Sequence, residues 1–217
     1  IKRLKSSSSA GSDGISPRVV KRLRYELVPF FVHLVNQIFL TGVFPDTYKV
    51  AIVVPLHKSG CDKELNNYRP ISILPVFNKI VERIIHNRLS SFLKRNKILD
   101  ERQFGFRRKS GTESAAVDVL NFIQSELNKG KKISAVFIDL QKAFDSVYHD
   151  ILLHILHDIG VRGKCYELIN SYLKNRSQIV KIKSTKSDPL PVTRGVIQGS
   201  IIGPLLFLIV INDLASL

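Results

Sequence analysis

Apolar positions along the chain fall into helical and alternating runs. Val19, Val20, Leu23, Leu27, Phe30, Phe31, Leu34, Val35 and Ile38 recur at helical spacing, which predicts a helix that opens at Ser16-Pro17 and ends at Thr41-Gly42. Pro29 is expected to kink or divide it. Ile80, Val81, Ile84, Ile85, Leu89, Phe92 and Leu93 predict a second helix from Pro75 to about Arg95, with these side chains on its inner face. Glu82 and His86 on that helix read as surface residues. Ser110-Gly111-Thr112-Glu113 has the spacing of a capping box, and a helix through Val117, Leu120, Ile123 and Leu127 should follow, closed by Gly130. Further helices are expected at His149–Ile159, Lys164–Leu173 and Leu205–Leu217.

Elsewhere the pattern alternates. Tyr48–His57 and Tyr68–Leu74 read as a hairpin around the polar loop Ser59–Asn67, with Lys58 at one base and Arg69 at the other. Gln178–Lys183 can pair with Leu190–Thr193 across Thr185–Asp188. In Ile133–Asp139 both alternating sets are largely apolar, which predicts a central strand covered on each side and ending in Asp139. Helices packed on a small antiparallel sheet give the class α+β. Residues 1–14 are rich in Lys, Ser and Gly and are expected to be mobile.

Composition narrows the partners. The 217 residues are 44% hydrophobic, enough for a real core in one domain or two closely joined lobes. The net charge of +15, from 33 Lys+Arg against 18 Asp+Glu, calls for an anionic partner. The basic residues come in small groups: Lys2/Arg3/Lys5, Arg18/Lys21/Arg22/Arg24, Lys94/Arg95/Lys97, Arg107/Arg108/Lys109, Lys129/Lys131/Lys132 and Lys181/Lys183/Lys186. Scattered groups suit a long nucleic-acid groove better than one compact site, the plainer alternative being solvated surface. A polybasic membrane anchor fits less well, because the groups sit within foldable segments.

Cys61 and Cys165 give no disulfide framework and no zinc spacing, which reads as a reduced, intracellular protein without a disulfide partner. The longest apolar run, Ile201–Ile211, is too short to cross a bilayer, so no membrane partner is expected. No signal peptide is visible. The chain begins with Ile1 and stops directly after a motif, which reads as a piece of a longer open reading frame.

A carboxylate closing a buried strand needs a cation, a metal or hydrogen bonds. A lone Asp139 would be read as a turn or cap residue. It is not alone. Phe137-Ile138-Asp139-Leu140 with Ala143-Phe144-Asp145 resembles the first catalytic motif of the reverse transcriptases of non-LTR (LINE-type) retrotransposons. Gly195–Ser200, followed by Ile202–Phe207 and Ile211–Leu214, resembles the next motif. Arg69-Pro70-Ile71-Ser72 and Gln103–Arg107 resemble two upstream blocks. The blocks stand in the family's order, in the manner of the jockey-like elements of animals.

The resemblance implies the fingers and part of the palm of a right-hand polymerase: a flexible segment at 1–14, a fingers-like region at 15–130 and a partial palm at 131–217, with the thumb missing. It implies an RNA-directed DNA polymerase that adds dNTPs to a primer 3′-hydroxyl by two-metal catalysis, with two Mg²⁺ or Mn²⁺ ions. RNA template, DNA primer and dNTPs are the implied partners, and the nucleus or a cytoplasmic ribonucleoprotein the implied location. Asp139 and the Leu140 carbonyl are the implied metal ligands. Lys58, Arg69, Ala143, Phe144 and Gln198 are the implied dNTP site, Arg offering a bidentate fork and Lys a point charge. The Phe144 ring would select against a ribose 2′-hydroxyl, the alternative being core packing. Gln103, Gly105, Arg107 and Gly199 are the implied template contacts. Asp145 matches a position that the family does not use as a ligand, and a local turn or cap role is expected.

The sequence departs from the family at three places. Ile197 stands where Pro is usual, Tyr48 where Trp is usual, and the Tyr-x-Asp-Asp motif is not reached before Leu217, so this piece alone is expected not to polymerise. Two rivals remain: a group II intron-type reverse transcriptase, which shares these blocks, and a non-catalytic RNA-binding relic of a transposon, which the charge supports equally.

Overall fold

The computed structural model describes residues 1–2, 4–5, 9–107 and 110–216. Arg3, Arg108 and Lys109 of the basic groups, Ser6 to Ser8 of the N-terminal segment, and Leu217 lie outside the described residues.

The predicted first helix forms as α1 (Pro17–Arg22) and α2 (Arg24–Thr41). Ser16 caps it, its Oγ accepting from Arg18 N at 3.2 Å. The division falls at Leu23 (φ −90°, ψ 26°), not at Pro29, which sits inside α2. Pro29 removes one N–H from the ladder, and the helix continues through it. Gly42, at φ 71°, ends the helix as expected.

The hairpin is present as β1 (Val50–His57) and β2 (Tyr68–Ile73), antiparallel, with Leu56 opposite Arg69. Then come α3 (Val76–Arg95), α4 (Thr112–Asn128), α5 (His149–Asp158) and α6 (Gly163–Leu173). β3 (Arg176–Ile182), β4 (Thr185–Lys186), β5 (Leu190–Val192) and α7 (Gly203–Ile211) complete the order. The expected pairing of the last strands holds, with Gln178 opposite Leu190.

The sheet runs β2-β1-β3-β4, with β5 also on β3. It is mixed rather than wholly antiparallel, because β3 lies parallel to β1, Val50 opposite Ser177 through Val53 opposite Val180. The chain between these strands passes through α3 to α6, and such a long crossover returns the strand in the same direction. One apolar core joins α2 (Phe31, Ile38), α3 (Val81, Ile85), α5 (Leu152), α6 (Leu168) and α7 (Leu206). It therefore runs across the boundary expected at residue 130.

Three expectations are corrected, and α4 adds a finding of its own. Ile133–Asp139 is not a central strand: it forms no ladder, and Val136, Phe137 and Ile138 are 85%, 91% and 83% exposed. A strand needs a neighbour for its backbone groups, and among the described residues none lies beside this one. The capping box is not made, because Gly111 is the N-cap and frames the helix one residue later than Ser110 would. No α4 residue is buried, so its apolar positions Val117, Leu120 and Leu127 face outward. The N-terminal segment is docked at its end: Gly11 is buried where an added Cβ would lie 2.5 Å from Pro75 N, and Ser12 Oγ donates to the Val50 carbonyl at 3.2 Å.

Among the described residues, no helix is long and apolar enough to cross a membrane.

Candidate functional site

The turn Gln141–Ser146 and the loop Gly195–Ser200 come from separate motifs and lie against each other. Within the turn, the Lys142 carbonyl accepts from Asp145 N at 2.8 Å and Ser146 N at 3.0 Å. Lys142 holds φ 49° to make this possible, a conformation that disfavours a Cβ by about 1–2 kcal/mol. Val196 N donates to the Phe144 carbonyl at 2.8 Å and Gly195 N to the Val147 carbonyl at 2.7 Å. Gln198 Nε2 donates to Asp145 Oδ1 at 2.9 Å. Asp145 stands in the turn through its backbone, and its carboxylate reaches across to Gln198.

The same loop is pinned to the hairpin. Ser72 N donates to the Gln198 carbonyl at 2.8 Å. Gly199 has φ 103°, and an added Cβ would stand 2.7 Å from the Ser72 carbonyl oxygen. Only glycine lets the two backbones meet this closely without strain. The turn closes although Ile197 replaces the usual Pro: its carbonyl accepts from Ser200 N at 3.1 Å and Ser200 Oγ at 2.9 Å. Ser200 Oγ in turn accepts from Gly203 N at 2.9 Å, at the start of α7.

A cavity of about 380 Å³ opens where these pieces converge, lined by Ser72, Asp145, Arg176, Gln178, Arg194 and Gln198 among others. Phe144 is half-buried beside it. Its ring stacks on Phe207 (centroids 4.7 Å, 18° between planes) and meets Phe106 edge-on at 5.6 Å. Ala143, adjacent, is half-buried against the core.

Other predicted residues stand apart from this convergence. Lys58 and Arg69 are exposed on the hairpin, where Lys58 N donates to the Asn67 carbonyl at 2.8 Å. Asp139 and Leu140 lie on the exposed unpaired segment. Gln103 Nε2 donates to the carbonyl of exposed Gly105 at 3.3 Å. Arg107 is half-buried and turned onto its own loop, donating to the Asp100 and Gln103 carbonyls. Asp100 ties the loop further: hydrogen bonds from Arg102 hold its carboxyl down at about 2.

Residue type alone makes Glu82 a surface residue, and the structure corrects this. It is fully buried behind the Gly195–Ser200 loop. Its Oε2 accepts from Ile201 N at 2.7 Å; its Oε1 accepts from Tyr172 Oη at 2.8 Å and from Asn78 Nδ2 at 3.2 Å. Burial raises the carboxyl above its ordinary 4.5, opposed by these donors and by the nearby Arg176. The Tyr172 hydroxyl is pushed well above 10.0 by the same burial and by Glu82. Arg176 is also buried, donating to the Tyr172 carbonyl at 2.9 Å and the Tyr48 carbonyl at 3.4 Å. Helical phase carried the missed signal: Asn78, Val81, Glu82, Ile85 and Leu89 form one buried stripe of α3. His86 is half-buried, and desolvation lowers its imidazole.

The ligands that the resemblance implies for a divalent cation, the Asp139 carboxylate and the Leu140 carbonyl, are hard oxygen donors of the kind such a cation prefers. Among the described residues, no group of three or more His, Cys, Asp or Glu side chains could hold a metal. These residues alone do not complete a magnesium cage.

The sequence profile of the family described as "Reverse transcriptase (RNA-dependent DNA polymerase)" matches residues 56–217. The chain is 34% identical over 215 residues to the probable RNA-directed DNA polymerase from transposon BS of Drosophila melanogaster, covering 99% of this chain and 24% of that protein. It is 32% identical to the RNA-directed DNA polymerase from mobile element jockey of the same fly, covering 100% of this chain and 24% of that one. It thus spans about a quarter of the length of these curated relatives. The solved Cas6-RT-Cas1–Cas2 complex has a chain that aligns with 93% of this one at 17% identity, over 21% of its own length, with a TM-score of 0.45. The chain belongs to the reverse transcriptase family, and the relatives it resembles include the polymerases of the BS and jockey elements.

Proposed function

We propose that this chain forms the fingers and part of the palm of an RNA-directed DNA polymerase that copies a retrotransposon RNA from a DNA primer. The observation that carries the reading is the Gln198–Asp145 bridge beside the Ser72–Gln198 contact. Through it, three separately recognised motifs face one cavity. The +15 charge supplies attraction for template and primer phosphates.

In this reading Lys58 and Arg69 on the exposed hairpin reach the triphosphate, Lys as a point charge and Arg through its fork. Ala143 and Phe144 lie under the incoming sugar, with Phe207 behind the ring to hold it in place. Gln198 and Gly199 form the floor beneath the new base pair. Gln103, Gly105 and Arg107 contact the template, Arg107 also bracing its own loop. Asp139 and the Leu140 carbonyl contribute to a site for divalent cations, Mg²⁺ or Mn²⁺, which would activate the primer hydroxyl and stabilise the leaving pyrophosphate. The remaining ligands of that two-metal site are placed outside these residues. The reading puts the protein in the nucleus or in a cytoplasmic ribonucleoprotein, where template and primer occur.

The test is single-turnover primer extension on an RNA template by the complete polymerase that carries this chain. Asp139→Asn should abolish extension and leave template binding nearly intact. Asp145→Asn should be far milder, since an amide oxygen still accepts from Gln198. A reversed order would mean that Asp145 is the essential carboxylate; no effect of either would remove the catalytic reading and leave nucleic-acid binding.

A further inference from the structure

Glu82 takes no part in the chemistry proposed above, yet its surroundings are built for it. A carboxylate taken wholly out of water is costly unless several donors meet it. Here Ile201 N, Tyr172 Oη and Asn78 Nδ2 do so, and the Arg176 guanidinium lies in the same interior, 4.7 Å over the Tyr172 ring. The two carboxylate oxygens serve different elements. Oε1 ties α3 to α6 through Tyr172 and is bonded within α3 by Asn78. Oε2 reaches out of the helix pair to a backbone N–H in the loop that precedes α7.

That N–H belongs to the residue directly after the Gln198-Gly199-Ser200 turn. The turn is held on its hairpin side by Ser72 N on the Gln198 carbonyl and on its other side by Asp145 on the Gln198 amide. Both contacts fix Gln198 from the cavity side. Glu82 holds the turn from behind, at 2.7 Å. Gly199, at φ 103°, is a pivot that a side-chain clamp on each flank would immobilise.

We propose that Glu82 is a positioning residue for nucleotide addition, setting the height of the Gln198-Gly199 floor through its hydrogen bond from Ile201 N. The inference rests on the polymerase reading above. It assigns the charge of Glu82 a purpose other than stability. An ionised acceptor bonds a backbone N–H more strongly than a neutral one, so the turn keeps one position when a nucleotide presses on it. An apolar residue of equal size would fill the space and leave Ile201 N without this partner.

The experiment measures dNTP KM, kcat, RNA affinity and thermal stability of the complete polymerase, with wild type, Glu82→Gln, Glu82→Asp, Tyr172→Phe and Asp139→Asn. Glu82→Gln should raise dNTP KM about tenfold, the difference between a charged and a neutral acceptor, with RNA affinity unchanged. Glu82→Asp keeps the charge but withdraws the oxygens, and should raise KM by a smaller factor; it decides the matter if Glu82→Gln does not fold. Tyr172→Phe removes a donor from Oε1 only, and should lower stability while leaving KM within about twofold. Unchanged KM in the folded Glu82 variants would overturn the inference, as would a rise in Tyr172→Phe equal to that in Glu82→Gln. If the wild-type polymerase extends no primer on RNA and Asp139→Asn behaves identically, the polymerase reading itself fails and the inference falls with it.

Discussion

Gly199→Ala isolates the contact between the Gly195–Ser200 loop and the hairpin. Gly199 sits at φ 103°, outside even the left-handed region that ordinary residues visit, and this disfavours an Ala by about 1–3 kcal/mol. Its new Cβ would stand 2.7 Å from the Ser72 carbonyl oxygen, a backbone atom that cannot swing aside. To relieve it the turn must lift from β2, and the hydrogen bond from Ser72 N to the Gln198 carbonyl would stretch or break, losing about 1 kcal/mol more. The total is about 2–4 kcal/mol, or about 5–15 °C in Tm for a chain of this size. Gly14→Ala is the matched control: Gly14 is also left-handed, at φ 69°, but nothing lies within 4 Å of its added Cβ. It should lose only the backbone component, about 1–2 kcal/mol. Urea denaturation of the purified variants, followed by circular dichroism, gives both values from midpoint and slope. Equal losses in the two variants would refute the close approach of the loop to β2.

RNA or primer–template binding should weaken linearly in log K against log salt, by about 0.7–0.9 per phosphate contact; anisotropy titrations at several salt concentrations check this, and a flat response would count against a nucleic-acid groove. Phe144→Val in the complete polymerase should admit ribonucleotides and also lower stability, since two aromatic contacts worth about 0.5–1.5 kcal/mol each are lost; unchanged selectivity with normal dNTP addition would make Phe144 a packing residue only. Glu82 holds its proton more tightly when folded than its ordinary 4.5, so the folded state is relatively favoured at low pH and loses that advantage as pH rises from 4.5 through the raised value. The stability of wild type relative to Glu82→Gln should therefore fall with rising pH across that window, and parallel denaturation profiles would contradict it.

The elements that sequence showed well are those whose phase repeats and whose ends are marked. Ser16 and Gly42 stand where the first helical run starts and stops, and the hairpin follows its alternation. Periodicity reports which positions are apolar but not what covers them. That is why the apolar run Ile133–Asp139 reads as interior although its side chains are exposed. Residue type misled in the opposite direction at Glu82, where a carboxylate outweighed a helical phase that placed it beside Val81 and Ile85. The site was legible as separate motifs in order. Their meeting was not, because the Gln198–Asp145 bridge spans residues that only the tertiary fold brings together. Arg107 was legible as a cation, while its turn onto the Asp100 and Gln103 carbonyls depends on a loop conformation with no periodic signal.

The bare stretch Ala135-Val136-Phe137-Ile138 has a consequence for handling the purified chain. It is uncharged, rich in β-forming side chains, and has its backbone groups open to any strand that arrives. Two copies can satisfy each other there, so self-association should grow with concentration and with salt, as the repulsion of a +15 chain is screened. Lys131 and Lys132 on one flank and Asp139 on the other act as gatekeepers against stacking, though both lysines would be muted by bound polyanion. Replacing Phe137 by Lys should slow turbidity growth without touching the α2–α3–α5–α6–α7 core.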